Sequence, residues 1–347
     1  MKAVVVHGAH DLRIDEVPDP IPTDDNVVVA MEWGGICGSD VAYVQSGVSG
    51  TATLKDPLIL GHEGAGRVVH IGQDAAEHLA GSGIEVGSAV TMHPATLVGA
   101  GSGLNHRSPQ SNLWPRVRYF GSAAFDPHEA GLFSSQRAVR PDQLRAVPAG
   151  VTTREAALAE PFGVALHALN RAGDVSGRTV LVNGCGPIGA LAVAAARAAG
   201  AGQVIAADLS PTSLRIAEEM GADRIIDLSS GEQLPVDVDV AVEASGAPQA
   251  WGDVIAAIRR GGTMVQVGNL PLSEVGASLG GLVTREINLR GSYRFVDEIT
   301  DALALMAQGL DVTPLMTHEV PMDEAERGFE LAADRTSGSS KVMIKLA

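Results

Sequence analysis

Cysteine is nearly absent: 347 residues contain only Cys37 and Cys185, too few for a disulfide scaffold and in keeping with a reducing compartment. Basic residues are scarce too, 25 Lys and Arg against 41 Asp and Glu, for a formal net charge of −16. A surface of that sign repels phosphate backbones and anionic membranes, so nucleic acid is not an expected partner. No uncharged apolar run is long enough to cross a bilayer, because the most apolar stretch, residues 188–207, carries Arg197 and three glycines. The start, Met-Lys-Ala-Val-Val-Val-His, lacks the apolar region and cleavage site of a signal peptide and reads as a first strand. No internal repeat or low-complexity segment stands out. The expectation is a soluble, cytoplasmic chain.

What is present is a chain with 45% hydrophobic residues and 41 glycines, the profile of an α/β enzyme, and a length that calls for two domains. Its organising stretch is residues 178–208. A β-branched run at 179–182 leads into Gly184-x-Gly186-x-x-Gly189, then an alanine-rich helix former at 188–199, then a second run at 203–207 ending at Asp208. In a dinucleotide site the first glycine makes the turn, the second admits the pyrophosphate, and the third lets helix and strand pack closely. The backbone around Pro187 and Ile188 then offers unpaired helix N–H groups to the phosphates. Asp208, about 20 residues beyond the glycines, is placed to bind the ribose hydroxyls and to repel a 2′-phosphate, which favours NAD over NADP. Glycine turns are common and Asp208 also suits a helix cap at Ser210-Pro211; the complete strand, turn, helix and strand context selects the cofactor reading. Ser245, Val267 and Gly268 are expected to line the same cleft. Cys185, inside the glycine turn, reads as a packing residue.

Residues 1–150 read as β-rich, with short runs at 3–6, 26–31, 66–71 and 89–92, and no long helical period. Residues 95–132 read as a long loop or lobe. From residue 153 strands and helices alternate: strands at 179–182, 203–207, 224–227, 238–242, 263–267 and 287–291, and helices at 213–220, 249–259 and 298–308. The pattern predicts a doubly wound parallel sheet. A last run at 341–345 has no place in that sheet and is expected to return to the first domain. The division is therefore a catalytic domain of residues 1–152 and 293–347 with a Rossmann nucleotide domain, 153–292, inserted in it.

Two segments of the β-rich half, Gly35-Ile36-Cys37-Gly38-Ser39-Asp40 and Gly61-His62-Glu63-Gly64, supply a thiolate, an imidazole and a carboxylate, the donor types of a catalytic zinc with one open position. Glu160-Pro161 adds a carboxylate at the entrance to the nucleotide domain. Singly, Cys37 suits a small buried hydrophobe, His62-Glu63 a turn, and Glu160 a helix N-terminal acid. Together, Gly35-x-Cys37-Gly38-x-Asp40, Gly61-His62-Glu63-x-x-Gly66-x-Val68, Glu160-Pro161 and the glycine turn resemble the zinc-dependent medium-chain dehydrogenase family over essentially the whole chain. Glu63 after His62, and Glu160-Pro161, resemble its polyol branch of sorbitol and L-idonate 5-dehydrogenases.

That resemblance implies a Rossmann sheet inserted in a β-rich GroES-like domain and NAD-dependent oxidation of a secondary hydroxyl. It implies a zinc held by Cys37, His62 and Glu63 with water, and Glu160 near enough to orient the water or enter the shell; which carboxylate binds is left open. Ser39 is expected to pass on the hydroxyl proton, with Glu63 and Glu160 tuning the metal. Tyr43, Phe120 and Arg294 are expected to touch the substrate. Phe120-Gly121-Ser122-Ala123, followed by Pro127-His128, resembles the L-idonate 5-dehydrogenases, and Arg294 suits hydroxyls or an aldonate carboxylate, although a surface salt bridge is its plainer role. The family's second, structural zinc is not expected, because Val98, Gly101, Leu104 and roughly Asn112 stand where four cysteines belong. Ala42 replaces a histidine that relays protons in polyol relatives. Relatives are dimers or tetramers, so a homo-oligomer is implied. The alternatives are the same chemistry on sorbitol, xylitol, L-threonine or a simple secondary alcohol, a zinc-free alkene reductase, and a non-catalytic nucleotide-binding protein.

Overall fold

The six apolar runs between residues 179 and 291 form one parallel sheet in the computed structural model, which describes residues 1–101 and 104–347. Its strands lie in the order Arg224–Asp227, Gln203–Asp208, Thr179–Asn183, Val238–Glu243, Ile258–Gln266, Asn288–Gly291. Numbered along the chain this is 3-2-1-4-5-6, the doubly wound order with its switch point beside Thr179–Asn183. Val180, Leu181 and Val182 are fully buried, each contributing about 1.5–3 kcal/mol of burial.

The helix Pro187–Ala198 starts directly after the glycine turn, with Gly186 as N-cap and Pro187 in the first position. A Cβ on Gly189 would stand 1.8 Å from the Gly184 carbonyl oxygen, so only glycine lets this helix sit on its strand. One element departs from expectation. The helix expected at 249–259 stops at Ala257, and the next strand starts at Ile258, five residues earlier than its β-branched run. Gly261 and Gly262 interrupt that strand, where its pairing with Val238–Glu243 slips, and so hide its start.

In the β-rich part Val27–Gly35 is the central strand. It pairs antiparallel with Glu63–Ile71, Gln136–Val139 and Lys341–Lys345 in a seven-stranded sheet that also includes Ala89–Met92, Leu144–Ala146 and Met316–Pro321. The C-terminal run thus joins the first sheet, and the nucleotide sheet is inserted between its strands. Met31, Leu58, Leu60, Leu132 and Phe133 fill the core. The helix Gly38–Ser46 was not anticipated, because it is short and only Asp40 and Tyr43 of it are buried. In the stretch expected as a lobe, Ala95–Leu97 pairs with Val117–Tyr119. Ser102 and Gly103 of that stretch lie outside the described residues.

The chain forms two compact units: Met1–Glu160 with Ile299–Gly309 and Met316–Ala347, and Pro161–Glu298 with Leu310–Leu315. Against the division expected at 152/153 and 292/293, residues 153–160 go with the first unit and residues 293–298 and 310–315 with the second. Thr153 explains part of the difference, since its hydroxyl donates to Glu32 Oε2 on the central strand at 2.5 Å.

Candidate active site

The sheet register brings the two ligand-type segments together. Gly35 lies opposite Glu63 in the antiparallel pair, so the Cys37 segment leaves one strand where His62 enters the other. Sulfur, imidazole nitrogen and carboxylate oxygen of Cys37, His62 and Glu63 all lie within 4.8 Å of one another, His62 and Glu63 buried and Cys37 half-buried. Cys37 caps the Gly38–Ser46 helix, and its N–H donates to Asp40 Oδ2 at 3.0 Å. Asp40, fully buried, also accepts the Gly61 N–H at 3.2 Å through Oδ1, which is 3.7 Å from His62 Nδ1. One carboxylate therefore ties both segments and faces the imidazole.

Lys341 meets this cluster from the C-terminal strand. Its buried ammonium donates to both oxygens of Glu63 at 2.8 Å and to the Ile36 carbonyl at 3.1 Å. Burial pushes the Glu63 carboxyl up toward neutrality, Lys341 pulls it back down, and Glu160 adds to the rise. For Lys341 burial works against the charge, while Glu63 and Cys37 outweigh it and hold the ammonium. One ammonium in contact with both oxygens is the geometry of an ion pair, in which mutual attraction offsets desolvation. Burial likewise pushes His62 down, but Asp40, Cys37 and Glu160 carry it well above the ordinary imidazole range. Negative groups thus dominate the surroundings of His62.

The other expected site residues are placed as follows. Glu160, 5% exposed, stands outside the 4.8 Å cluster and accepts the Tyr119 hydroxyl at 2.6 Å through Oε1. Ser39 is half-buried in the first turn of the helix that Cys37 caps. Tyr43 is buried, and its hydroxyl oxygen accepts the Ala123 N–H at 3.0 Å. Phe120, 3% exposed, also faces the core, with the Arg137 guanidinium 5.2 Å from its ring centroid. Phe120 lies just beyond the strand Val117–Tyr119, and Tyr119 at its end is the side chain whose ring stands against His62. His128 accepts the Lys55 and Asp56 N–H groups at Nε2, 2.9 and 3.2 Å, and its Nδ1 lies 2.8 Å from the Phe125 carbonyl, so it joins two loops. Arg294 belongs to the second unit, in the left-handed region at φ 53°, with its guanidinium 4.9 Å from the Tyr293 ring centroid.

The second unit presents the nucleotide elements. A Cβ at Gly186 would meet nothing within 4 Å, so there is open space beside the helix N-terminus. Asp208 ends its strand and accepts the Cys185 N–H at 2.5 Å and the Ser210 N–H at 2.8 Å. It steadies the glycine turn, and Ser210 itself caps the next helix through Ser213. Glu243, buried at the end of its strand, accepts from the Ser245 N–H and hydroxyl, the Gly246 N–H at 3.2 Å, Asn183 Nδ2 at 3.2 Å and Gln266 Nε2 at 2.8 Å. Its backbone carbonyl accepts the Val267 and Gly268 N–H groups. Three strand ends are thereby locked around the expected cofactor residues.

Comparison with known proteins settles the family. Residues 187–308 match the zinc-binding dehydrogenase family and residues 23–149 the alcohol dehydrogenase GroES-like domain. The chain is 33% identical over 99% of its length to the L-idonate 5-dehydrogenase (NAD(P)(+)) of Escherichia coli K12, covering 98% of that protein. It is 35% identical to bovine sorbitol dehydrogenase, with 99% and 95% covered. The crystal structure of L-idonate 5-dehydrogenase from Escherichia coli K-12 superposes with a TM-score of 0.88 at 33% identity, covering 99% of this chain and 97% of that one. The chain belongs to the zinc-dependent medium-chain dehydrogenase family, in its polyol branch.

The donor set of this dehydrogenase fits the family's metal. Cys37, His62 and Glu63 offer one sulfur, one nitrogen and one oxygen from a buried site, and the anionic groups around His62 favour a divalent cation there. Sequence reasoning missed three residues around it. Asp40 stood inside the quoted motif, three residues after the cap, and a capping-box reading would have found it. Tyr119 had only its place beside Phe120 as a signal. Lys341 had none, being 278 residues from Glu63.

Proposed function

We propose that this dehydrogenase oxidises a secondary hydroxyl of a sugar acid or polyol with NAD, with L-idonate to 5-dehydrogluconate as the favoured pair. The observation that carries the reading is the buried cluster of Cys37, His62 and Glu63, which supplies the protein ligands of one catalytic zinc. When bound, the metal supplies Lewis acidity to the substrate hydroxyl and NAD accepts the hydride. The chain does the rest. Asp40 orients His62, Lys341 holds Glu63, Ser39 takes the hydroxyl proton, and Glu160 acts as an outer carboxylate that orients water. Gly184, Gly186 and Gly189 shape the pyrophosphate turn with Pro187 and Ile188, and Asp208 receives the ribose. The Asp208 carboxylate favours NAD; the relative whose name includes NAD(P)(+) supports tolerance of NADP.

A single zinc per chain accords with a lobe that carries no cysteine. Self-association accords with the edge strand Asn288–Gly291, exposed along its whole length on the nucleotide sheet. Two free thiols accord with a cytoplasmic location. No described helix is long and apolar enough to cross a membrane.

The test is NADH formation on L-idonate beside sorbitol, xylitol, D-gluconate and L-threonine, with and without chelation, for the wild type and Arg294→Met. Chelator-sensitive turnover of L-idonate, with a KM raised by about tenfold or more in Arg294→Met and an unchanged KM for uncharged polyols, is the expected result. Turnover of sorbitol alone would transfer the substrate to the second reading, which the 35% identity to bovine sorbitol dehydrogenase supports. Turnover that survives proven removal of the metal would end the zinc mechanism.

A further inference from the structure

Glu160 is a buried carboxylate beside other anions, and its anchor is a neutral phenol. It is not among the atoms that converge within 4.8 Å, yet the Tyr119 hydroxyl that it accepts belongs to a ring standing against His62, which sets it beside the donor cluster. A negative group in such a place drifts toward any cation unless something holds it. The hold comes from Tyr119. The strand Val117–Tyr119 pairs with Ala95–Leu97, Tyr119 opposite Ala95 at the strand's end, and Phe120 beyond it joins the core. Its hydroxyl donates to Glu160 Oε1 at 2.6 Å, within the range of a hydroxyl bonded to an ionised carboxylate. Its ring stands edge-on to His62, centroids 5.7 Å apart and planes at 61°. One buried side chain, 8% exposed, thus touches a ligand imidazole with its ring and the outer carboxylate with its hydroxyl.

We propose that Tyr119 is a positioning residue whose hydroxyl holds Glu160 outside the Cys37, His62 and Glu63 shell, keeping one coordination position for the substrate oxygen. This rests on the zinc reading above. Removing the hydroxyl keeps the ring against His62 but frees the carboxylate to become a fourth protein ligand. The metal is then bound more tightly and the open position is lost.

The experiment uses Co(II) in place of zinc, with wild type, Tyr119→Phe, Glu160→Gln and the double variant, each first shown to be folded by thermal unfolding of the metal-free protein. Outer partners of metal ligands typically change affinity or activity about 10- to 100-fold, which sets the expected scale. Tyr119→Phe should bind Co(II) about tenfold more tightly, show a shifted visible band as a carboxylate oxygen fills the open position, and lose about tenfold in kcat/KM because the substrate oxygen must displace that carboxylate. Glu160→Gln should keep the wild-type visible band, and adding Tyr119→Phe to it should change neither band nor affinity. A Tyr119→Phe protein with wild-type spectrum and affinity overturns the proposal, as does a double variant whose spectrum moves as far as the single one. A wild type without a thiolate-to-Co(II) charge-transfer band overturns the zinc reading itself, a distinct result.

Discussion

The β-rich unit contains two places where the family is expected to hold zinc, and they balance buried charge in opposite ways. At the first, Cys37, His62 and Glu63 converge while Asp40 and Lys341 act as fixed counter-charges behind them. At the second, the cysteine-free lobe, hydrogen bonds occupy the interior. His106 is buried with its Nε2 3.1 Å from Asp142 Oδ2 and its ring stacked on His93, centroids 4.3 Å apart. Arg140 joins them, donating to Thr96 Oγ1 at 2.6 Å and to Asp142 Oδ1 at 2.9 Å. Burial pushes the Asp142 carboxyl up, but His106 and Arg140 overrule it and hold it far below the usual carboxylate range. The contrast is between donor atoms that converge in front of fixed counter-charges and side chains already paired with one another.

The difference breaks most sharply at the ligands. Cys37→Ser or His62→Ala should lose at least about 10³-fold in kcat/KM and the bound zinc measured by elemental analysis, since both the Lewis acid and its open position go. Retained zinc and activity in either variant would remove that residue from the shell. Next comes Lys341→Met, which leaves Glu63 buried without its partner. Metal-free protein should lose about 3–5 kcal/mol in urea unfolding at neutral pH. Because Glu63 already titrates near 7 beside Lys341 and higher still without it, the loss relative to wild type should grow as pH rises past about 7. A loss independent of pH would show that packing of the lysine stem, not charge, is the cause.

The lobe should answer more weakly and without regard to metal. His106→Ala is expected to cost about 1–3 kcal/mol, the same before and after chelation, with kcat retained; a chelator-dependent cost would place a metal in the lobe after all. The smallest effect tests the same device in the second unit, where His167 Nδ1 lies 2.7 Å from Glu298 Oε1. Burial pushes Glu298 up, while the His167 hydrogen bond and charge outweigh it and bring it to about 2 from 4.5. A carboxyl depressed on folding stabilises above its unfolded value and loses that contribution as pH falls through about 2. Glu298→Gln should therefore cost, after solvent screening, on the order of 1–2 kcal/mol at pH 7, and the gap to wild type should close between about pH 4.5 and 2. A gap unchanged at pH 3 would assign the effect to the hydrogen bond alone.

The parallel sheet itself followed from the alternation of apolar runs and helices, because its central strands, such as Thr179–Asn183, are buried and hydrophobic, while the edge strand Asn288–Gly291 is exposed. The glycine turn was legible residue by residue, since close approach at Gly189 admits no Cβ. The short helix Gly38–Ser46 was not, because so little of it is buried. Nor was the placing of Tyr119, whose ring meets His62 and whose hydroxyl meets Glu160, both remote from it in sequence.

Sequence by itself determined the donor types, the phosphate turn, the acidic surface and the loss of the lobe cysteines, all of which are properties of residues or of spacing along the chain. Only the tertiary structure decided that Lys341 neutralises Glu63, that Asp40 ties the Cys37 and His62 segments, and that Glu160 hangs from Tyr119. Those are contacts between buried charges remote in sequence, fixed by strand register and by the need to pair every charge taken out of water.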